Sequence, residues 1–223
     1  MSIASYIDHT ILKQTTTTED VTKVCKEALE YSFAAVCIPP IYVKEAVKQL
    51  LGSTVKVATV IGFPFGYTYT EAKLEEARIA LGEGAHELDM VMNVTALKNK
   101  DYQQLEEEVK AILAISKPQE AALKVIIESG VLTDEEIVRC CEIYRQFDID
   151  FLKTSTGYAE KGATIEAVQL IRAHLPSSIQ IKASGGIRSY EFAKSLVDAG
   201  ATRLGCSASV AIAKGENAGI GNY

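Results

Sequence analysis

The sequence has few cysteines and no excess of positive charge. Its 5 cysteines are odd in number, irregularly spaced and set in apolar contexts. This pattern favours buried thiols in a reducing cytoplasm over a disulfide framework. The net charge is −6 at pH 7, whereas proteins that bind phosphate backbones carry clustered Lys and Arg. Nucleic-acid binding is therefore disfavoured, and small molecules are the expected partners.

The sequence also shows no pattern typical of a targeting or membrane-spanning segment. The opening MSIASYIDHT has no basic stretch followed by an apolar one, so no signal peptide is expected. Uncharged stretches such as residues 31–43 contain prolines and fall short of the ~20 residues that cross a bilayer. The sequence thus predicts a cytoplasmic protein without a membrane anchor.

Short apolar runs alternate with longer amphipathic ones along the chain, and no linker interrupts them. Strict alternation of strands and helices indicates a parallel sheet, either open or closed. No GxGxxG fingerprint supports the open dinucleotide-binding alternative. An eighth strand at residues 6–10 would close a single-domain (β/α)8 TIM barrel over residues 1–223. The other predicted strands are residues 34–38, 57–61, 87–91, 123–128, 151–154, 179–183 and 202–206, and the predicted helices are residues 19–31, 42–51, 70–82, 102–116, 134–146, 165–175 and 190–199.

Three charged residues interrupt apolar runs near the ends of predicted strands: Asp89 in HELDMVMN, Lys153 in FLKTS and Lys182 in IQIKASGG. The active site of such a barrel forms at the C-terminal ends of its strands. Burial beside a second cation favours the neutral form of a lysine, and a neutral amine can attack a carbonyl to form a Schiff base. The two lysines are about one βα unit apart, so neighbouring strands would bring them into one cavity with Asp89 as a proton carrier.

A purely structural interpretation of these residues stays open. A lysine at a strand end is more often salt-bridged, or extended towards solvent, than nucleophilic. Asp89 paired with either lysine would form an ordinary buried ion pair. The catalytic interpretation depends on all three residues occurring together.

Two glycine-containing loops follow the last two predicted strands, ASGGIRS and GCSAS. Glycine lets backbone N–H groups approach a ligand closely, and phosphate sites in barrels often follow the last two strands. With Arg188 nearby, the pattern favours a phosphate site over a pair of tight turns. The candidate residues are Gly185, Gly186, Arg188, Gly205 and Ser207.

Seven motifs together resemble the deoxyribose-phosphate aldolase family of class I aldolases: IDHTILK, AAVCIPP, ELDMVMN, KVIIESG, FLKTSTGY, KASGGIR and LGCSAS. The resemblance covers about residues 7–208. It implies a (β/α)8 barrel and the reversible cleavage of 2-deoxy-D-ribose 5-phosphate to D-glyceraldehyde 3-phosphate and acetaldehyde, in deoxyribose phosphate catabolism. It also implies that no metal or other cofactor is needed.

The resemblance assigns roles to individual residues. By matching motif, Lys153 takes the place of the Schiff-base lysine, Lys182 that of the second lysine, and Asp89 that of the proton-shuttling aspartate. Gly157 joins the two loops above as a position used around the substrate phosphate. Some relatives have a lysine where this chain has Tyr158, so no cationic phosphate contact is expected there.

Four further residues receive weaker assignments. Asp8 and Thr10 are expected at the end of the first strand, within hydrogen-bond reach of the lysines or in a turn. Cys37 is interpreted as apolar cavity lining, because nothing nearby in sequence marks a base for it. The terminal Tyr223 follows a glycine-rich tail and either assists proton transfer at the second carbon of the imine or has no function.

Two other functions stay open at this point. A metal-dependent aldolase or hydrolase would need ligands, but His9, His86 and His174 lie far apart without ligand spacing. A catalytically silent barrel that binds sugar phosphates would keep the phosphate loops and lack a reactive lysine. The resemblance also implies a homo-oligomer, for which a dimer is expected.

Overall fold

Eight parallel strands close into a barrel in the computed structural model, which describes residues 2–216. Each strand pairs with the next, and the first pairs with the last. The predicted (β/α)8 barrel is therefore confirmed, including its eighth strand. The strands are β1 Ile7–Thr10, β2 Ala35–Ile38, β3 Lys56–Ile61, β4 Glu87–Val91, β5 Ala122–Ile126, β6 Phe151–Lys153, β7 Gln180–Ser184 and β8 Arg203–Cys206.

Helices surround the barrel and begin where the sequence supplies capping residues. Thr133 accepts a hydrogen bond from the Glu136 N–H while the Glu136 carboxylate accepts one from the Thr133 N–H, which is a capping box. Thr164 and Ser189 cap their helices by accepting hydrogen bonds from the Ala167 and Phe192 N–H groups. The helices are α1 Thr18–Tyr31, α2 Val43–Gln49, α3 Thr70–Gly82, α4 Val94–Lys98, α5 Tyr102–Ser116, α6 Asp134–Tyr144, α7 Ile165–His174, α8 Tyr190–Asp198 and α9 Ser209–Ala213.

The predicted helices match seven of these elements, and α4 and α9 were not predicted. Both span only 5 residues, which is too short for an amphipathic repeat to show in the sequence. Asn93, just before α4, accepts hydrogen bonds from the Thr95 and Ala96 N–H groups, so a local cap specifies that helix.

Alternation along the strands divides the buried residues into two sets. Outward-facing residues such as Leu88 and Met90 pack between the sheet and the helices in the main core. Inward-facing residues on β2 and β3 form a second, smaller apolar cluster with Leu12 and Phe63, made of Ala35, Cys37, Ala58 and Val60. The barrel interior is thus lined by small apolar side chains on one side, and charged residues occupy the other.

Two further features concern the sequence-based expectations. All five cysteines are buried, and none of them forms a disulfide. Among residues 2–216, no helix has the length and apolarity needed to cross a bilayer. One domain over residues 1–223 stays a prediction.

Candidate active site

The carboxylate of Asp89 lies at the centre of the charged half of the barrel. Its Oδ2 is 2.7 Å from Lys153 Nζ and 2.7 Å from Lys182 Nζ, and its Oδ1 is 2.7 Å from Lys124 Nζ. All three lysines and Asp89 are almost completely buried. The structure therefore brings together the three residues that the sequence singled out, and it adds a third lysine.

Two more carboxylates and one guanidinium complete the network. Asp8 Oδ2 lies 2.5 Å from Lys182 Nζ, and its Oδ1 lies 2.7 Å from Arg203 Nη1. Glu87 bridges the other side, 2.5 Å from Lys124 and 3.1 Å from Arg203. Four basic side chains thus share three carboxylates. The network has one more basic group than acidic groups, which favours loss of a proton from the lysine with the fewest carboxylate contacts.

Strand register explains why these residues meet. Lys153 on β6 lies directly opposite Lys182 on β7, and Asp89 on β4 lies opposite Lys124 on β5. Gly205 on β8 has no side chain, and a Cβ there would lie 3.0 Å from Lys182 Cε. The glycine therefore leaves room for Lys182 to extend towards Asp8.

Lys153 is the lysine of this network whose pKa is lowered. Burial disfavours its charge, and the neighbouring Lys182 cation lowers the pKa further, while Asp89 partly opposes both effects. Lys182 behaves in the opposite way: burial lowers its pKa, but Asp8 and Asp89 outweigh this and raise the pKa well above its ordinary value. Lys153 is thus the amine that loses its proton more readily, and Lys182 the one that stays charged.

The carboxylates stay ionised in this setting. Burial raises the pKa of Asp89, but Lys124, Lys153 and Lys182 outweigh burial and hold it well below the ordinary value. For Asp8, Lys182 and Arg203 likewise outweigh burial and lower the pKa to about 2. Asp89 is therefore a charged proton acceptor that contacts both lysines of interest.

Four of the predicted phosphate residues line one cavity of about 380 Å³ beside the barrel mouth: Gly157, Gly185, Gly186 and Arg188. The three glycines adopt positive φ angles of 91°, 87° and 77°, which side chains rarely adopt. Gly162 also lines this cavity, and a Cβ on it would lie 2.3 Å from the Gly185 carbonyl oxygen. Close backbone approach thus shapes the cavity, and phosphate binding by these residues stays a prediction.

The other two predicted phosphate residues lie elsewhere. Gly205 is in the strand beside Lys182, as described above. Ser207 lines a different cavity of about 240 Å³, together with Thr10 and the buried His9. The Thr10 hydroxyl donates to the Asp8 carbonyl oxygen at 2.9 Å, so it supports the end of β1.

An apolar cavity of about 370 Å³ opens at the mouth of the barrel, between Leu12, Val60, Phe63 and Tyr158. The Tyr158 hydroxyl donates to the Leu12 carbonyl oxygen at 2.7 Å, and its ring meets Phe63 edge to face at 5.3 Å between centroids. Tyr158 lines both this cavity and the glycine-rich one. It therefore separates an apolar compartment from a polar one.

The remaining candidates can be placed briefly. Cys37 lies in the small apolar cluster, where burial raises the pKa of its thiol. Among residues 2–216, no group of three or more His, Cys, Asp or Glu side chains is arranged to hold a metal ion. Tyr223 lies outside the described residues.

Sequence reasoning missed Lys124, Glu87 and Arg203. Lys124 lies inside the apolar run LKVII, two residues before the residue that pairs with Lys153, and it was overlooked because it is not at the strand end. Glu87 shares the inward face of β4 with Asp89 by the two-residue period of a strand. Applying that period inward from each strand-end residue would have found Glu87.

A closed parallel barrel with a buried lysine of lowered pKa at a strand end, beside an ionised carboxylate, has the features of a lysine-dependent aldolase. The comparisons agree, because a family model described as DeoC/LacD family aldolase matches residues 2–217. The chain belongs to this family.

Named relatives cover nearly the whole chain. A deoxyribose-phosphate aldolase of Streptococcus gordonii is 48% identical over 223 residues, 100% of both chains. One of Bacillus cereus is 51% identical over 212 residues, 95% of both chains. A tetrameric deoxyribose phosphate aldolase structure from Aeropyrum pernix superposes with a TM-score of 0.89 at 34% identity, covering 95% of this chain and 89% of that one.

The lowered pKa of Asp8 predicts a specific acid sensitivity. The folded-state pKa is about 2, below the ordinary 3.8, so Asp8 stabilises the fold above pH 4 and this stabilisation is lost as the pH falls towards 2. We expect Asp8→Asn to remove about 2 kcal/mol of that pH-dependent change in unfolding free energy. Urea unfolding between pH 2 and 5 measures it. Asp148→Asn, at an exposed carboxylate, is the control, and parallel curves for wild type and Asp8→Asn would contradict the assignment.

The charge of Lys182 is expected to influence the pH range in which Lys153 reacts. Lys182 lowers the pKa of Lys153, so Lys182→Met should raise that pKa and move Lys153 reactivity to higher pH. Asp89→Asn should move it to lower pH, because the carboxylate raises the same pKa. The rate of adduct formation at Lys153 with acetaldehyde and borohydride, followed by peptide mapping across a pH series, measures both shifts.

The control for this series is Lys194→Met on the exposed face of α8, where Lys194 pairs with Asp198. Its pH profile should match that of the wild type. Shifts of the same sign in Lys182→Met and Asp89→Asn would show that the charges of these two side chains do not set the reactivity of Lys153.

Proposed function

We propose that this chain is a class I aldolase that reversibly cleaves 2-deoxy-D-ribose 5-phosphate to D-glyceraldehyde 3-phosphate and acetaldehyde, in deoxyribose phosphate catabolism. The observation that carries the proposal is Lys153: a buried amine of lowered pKa, 2.7 Å from the carboxylate of Asp89. The names of the relatives support the substrate, and no metal or other cofactor enters the proposed reaction.

The first step makes the Schiff base. The neutral Nζ of Lys153 attacks the C1 aldehyde of the substrate, and loss of water gives an iminium. Lys182 stays charged and keeps the pKa of Lys153 low. Asp89 accepts and returns the protons of this step because its Oδ2 lies within hydrogen-bond distance of both amines.

The second step breaks the C2–C3 bond. The iminium accepts the bonding electron pair and becomes an enamine, while the C3 hydroxyl loses its proton towards Asp89, through a water, and becomes the carbonyl of glyceraldehyde 3-phosphate. Protonation of the enamine at C2 and hydrolysis then release acetaldehyde and restore the Lys153 amine. Asp8 and Lys124 hold Lys182 and Asp89 in place by the ion pairs described above.

The two cavities suit the two ends of the substrate. The backbone N–H groups around Gly157, Gly185 and Gly186, with Arg188, offer donors to a phosphate. The apolar cavity lined by Leu12, Val60 and Phe63 suits the two-carbon aldehyde, and Val60 is paired with Asp89 across β3 and β4. We assign Gly205 and Ser207 to the phosphate end as well, on the motif resemblance alone, and Tyr223 to proton transfer at C2.

We further propose that the protein forms a homodimer and resides in the cytoplasm. The five unpaired buried thiols suit a reducing compartment. The exposed side chains of Phe65 and Tyr67 after β3, whose rings lie 5.4 Å apart, line one surface depression with Ile79 of α3 and form an apolar patch. Such a patch is typical of a protein interface.

Lys153→Arg tests the catalytic assignment. Arginine keeps the charge but forms no imine, so turnover should fall on the order of 10³-fold or more, and borohydride with acetaldehyde should leave no adduct. In the wild type, peptide mapping should place the adduct on Lys153. Lys73 is the internal control, because it is also buried with a lowered pKa but lies on α3 outside the barrel. Full turnover by Lys153→Arg would refute the proposal, and wild-type binding without an adduct would favour a silent sugar-phosphate barrel.

Substitution in the apolar patch tests the proposed homodimer. Sedimentation at micromolar protein should give a dimer for the wild type, and Tyr67→Asp should shift it towards monomer because a charge in an apolar interface is costly. Leu51→Asp, an exposed apolar residue that follows α2 at the opposite end of the barrel, is the matched control. A monomeric wild type would refute the dimer.

A further inference from the structure

Glu128 is a buried acidic residue that the proposed reaction does not use. It follows β5 in the motif IIESG and is only 8% exposed. Its φ of 54° lies in the left-handed region, which a glutamate occupies at a cost. The surrounding structure therefore fixes its position, and a fixed, strained acidic residue beside an active site calls for a physical reason.

The carboxylate of Glu128 accepts hydrogen bonds from a single residue of the neighbouring loop. The Thr156 N–H donates to both carboxylate oxygens, at 3.2 and 3.3 Å, and the Thr156 hydroxyl donates to Oε2. The same hydroxyl accepts a hydrogen bond from the Tyr158 N–H at 3.0 Å. Glu128 thus fixes both the backbone and the side chain of Thr156, and through it Tyr158.

Thr156 lies in the turn of residues 154–158, which follows Lys153. The first part of this turn is held by β7, since the Ser184 N–H donates to the Thr154 hydroxyl at 3.1 Å and the Ser184 hydroxyl donates to the Ser155 carbonyl oxygen at 2.5 Å. Glu128, just beyond the end of β5, holds the second part. The turn is therefore held between two strands, with a carboxylate on one side.

The held part of the turn forms a wall of the glycine-rich cavity. Gly157 and Tyr158 line that cavity, and Glu128 does not. On the far wall, a Cβ on Gly185 would lie 3.4 Å from Gly157 Cα, so a shift of the turn would change the width of the cavity. The negative charge of Glu128 lies behind Thr156, where it can orient the turn without contacting an anion.

We propose that Glu128 is a positioning residue that holds the turn of residues 154–158 through Thr156, so that the glycine-rich cavity fits the phosphate group of the substrate. This inference rests on the proposed function, since it assigns the phosphate end of the substrate to that cavity. Glu128 acts through Thr156 and makes no contact with substrate.

Steady-state kinetics on two substrates tests the inference. Glu128→Ala should raise KM for 2-deoxyribose 5-phosphate about tenfold, the size expected for losing hydrogen bonds to a charged group, and should change kcat/KM for unphosphorylated 2-deoxyribose little. Thr156→Val should have the same effect, and the double variant should add little, because both changes remove the same hydrogen bonds. Thr156→Ser keeps the hydroxyl, so its KM for 2-deoxyribose 5-phosphate should be close to that of the wild type.

Amide hydrogen exchange gives a readout that needs no catalysis. Peptides covering residues 154–158 should exchange faster in Glu128→Ala than in the wild type, with little change elsewhere. Thr156→Val provides the same measurement should Glu128→Ala fail to fold. Glu108→Gln is the matched control: Glu108 is also buried but pairs with Lys73 on the outside of the barrel, so this variant should lower stability without changing the preference for the phosphorylated substrate.

The outcomes separate the two proposals. Unchanged exchange at residues 154–158, or equal losses on the two substrates, would overturn the role of Glu128. Absence of a borohydride adduct on wild-type Lys153 would overturn the proposed function instead. In that case faster exchange of the turn would still support the holding role of Glu128, and unchanged exchange would refute it.

Discussion

One carboxylate, that of Asp89, holds the active-site charges together. Three ammonium groups lie 2.7 Å from its two oxygens, in a part of the barrel that is closed to water. Burying any one of these lysines alone would be costly, and an unpaired buried charge is among the strongest destabilising features of a protein. The lysines therefore depend on Asp89 for their burial, while Asp89 depends on them to stay ionised. Asp8 and Glu87 extend the same arrangement to Arg203.

The lysines have different numbers of carboxylate partners, and this difference gives them different pKa values. Within residues 2–216, Lys182 has two carboxylate partners, Asp8 and Asp89, whereas Lys153 has Asp89 alone. Burial acts against the charge of both residues, so the one with fewer partners is the one whose pKa falls. Among several buried amines, Lys153 is thereby the one that loses its proton more readily, and Lys182 is the one that keeps its charge.

The sequence alone predicted the barrel well because each local signal agreed with the global one. Buried parallel strands appear as short apolar runs, and caps such as Thr133 mark where helices begin. The eighth strand was predicted at residues 6–10 only because a barrel needs closure, and the observed strand pairs with both β2 and β8. The 5-residue helices α4 and α9 were not predicted, because hydrophobic periodicity can be recognised only in a longer segment.

The site was predicted less completely, for a different reason. A charged residue at a strand end stands out in the sequence, but whether it meets another depends on strand register, which periodicity does not give. Lys153 and Lys182 were paired correctly because neighbouring strands in a barrel end at similar heights. Lys124 lies lower on its strand and was missed, although its contact with Asp89 follows directly from the β4–β5 register.

Lys73 shows why position in the fold, and not pKa alone, decides which lysine reacts. Burial lowers the pKa of Lys73 as it does that of Lys153, with Glu108 as the opposing carboxylate. Lys73 Nζ donates to the Val91 carbonyl oxygen at 2.7 Å and to Glu108, and the side chain is completely buried. Its hydrogen bonds fix it between α3, α5 and the outside of the sheet. Lys153 instead lies at the end of β6, directly before the turn that forms a wall of the glycine-rich cavity. A buried amine can act as a nucleophile only where the fold also gives an aldehyde a place to bind, and in parallel barrels active sites form at the C-terminal end of the strands.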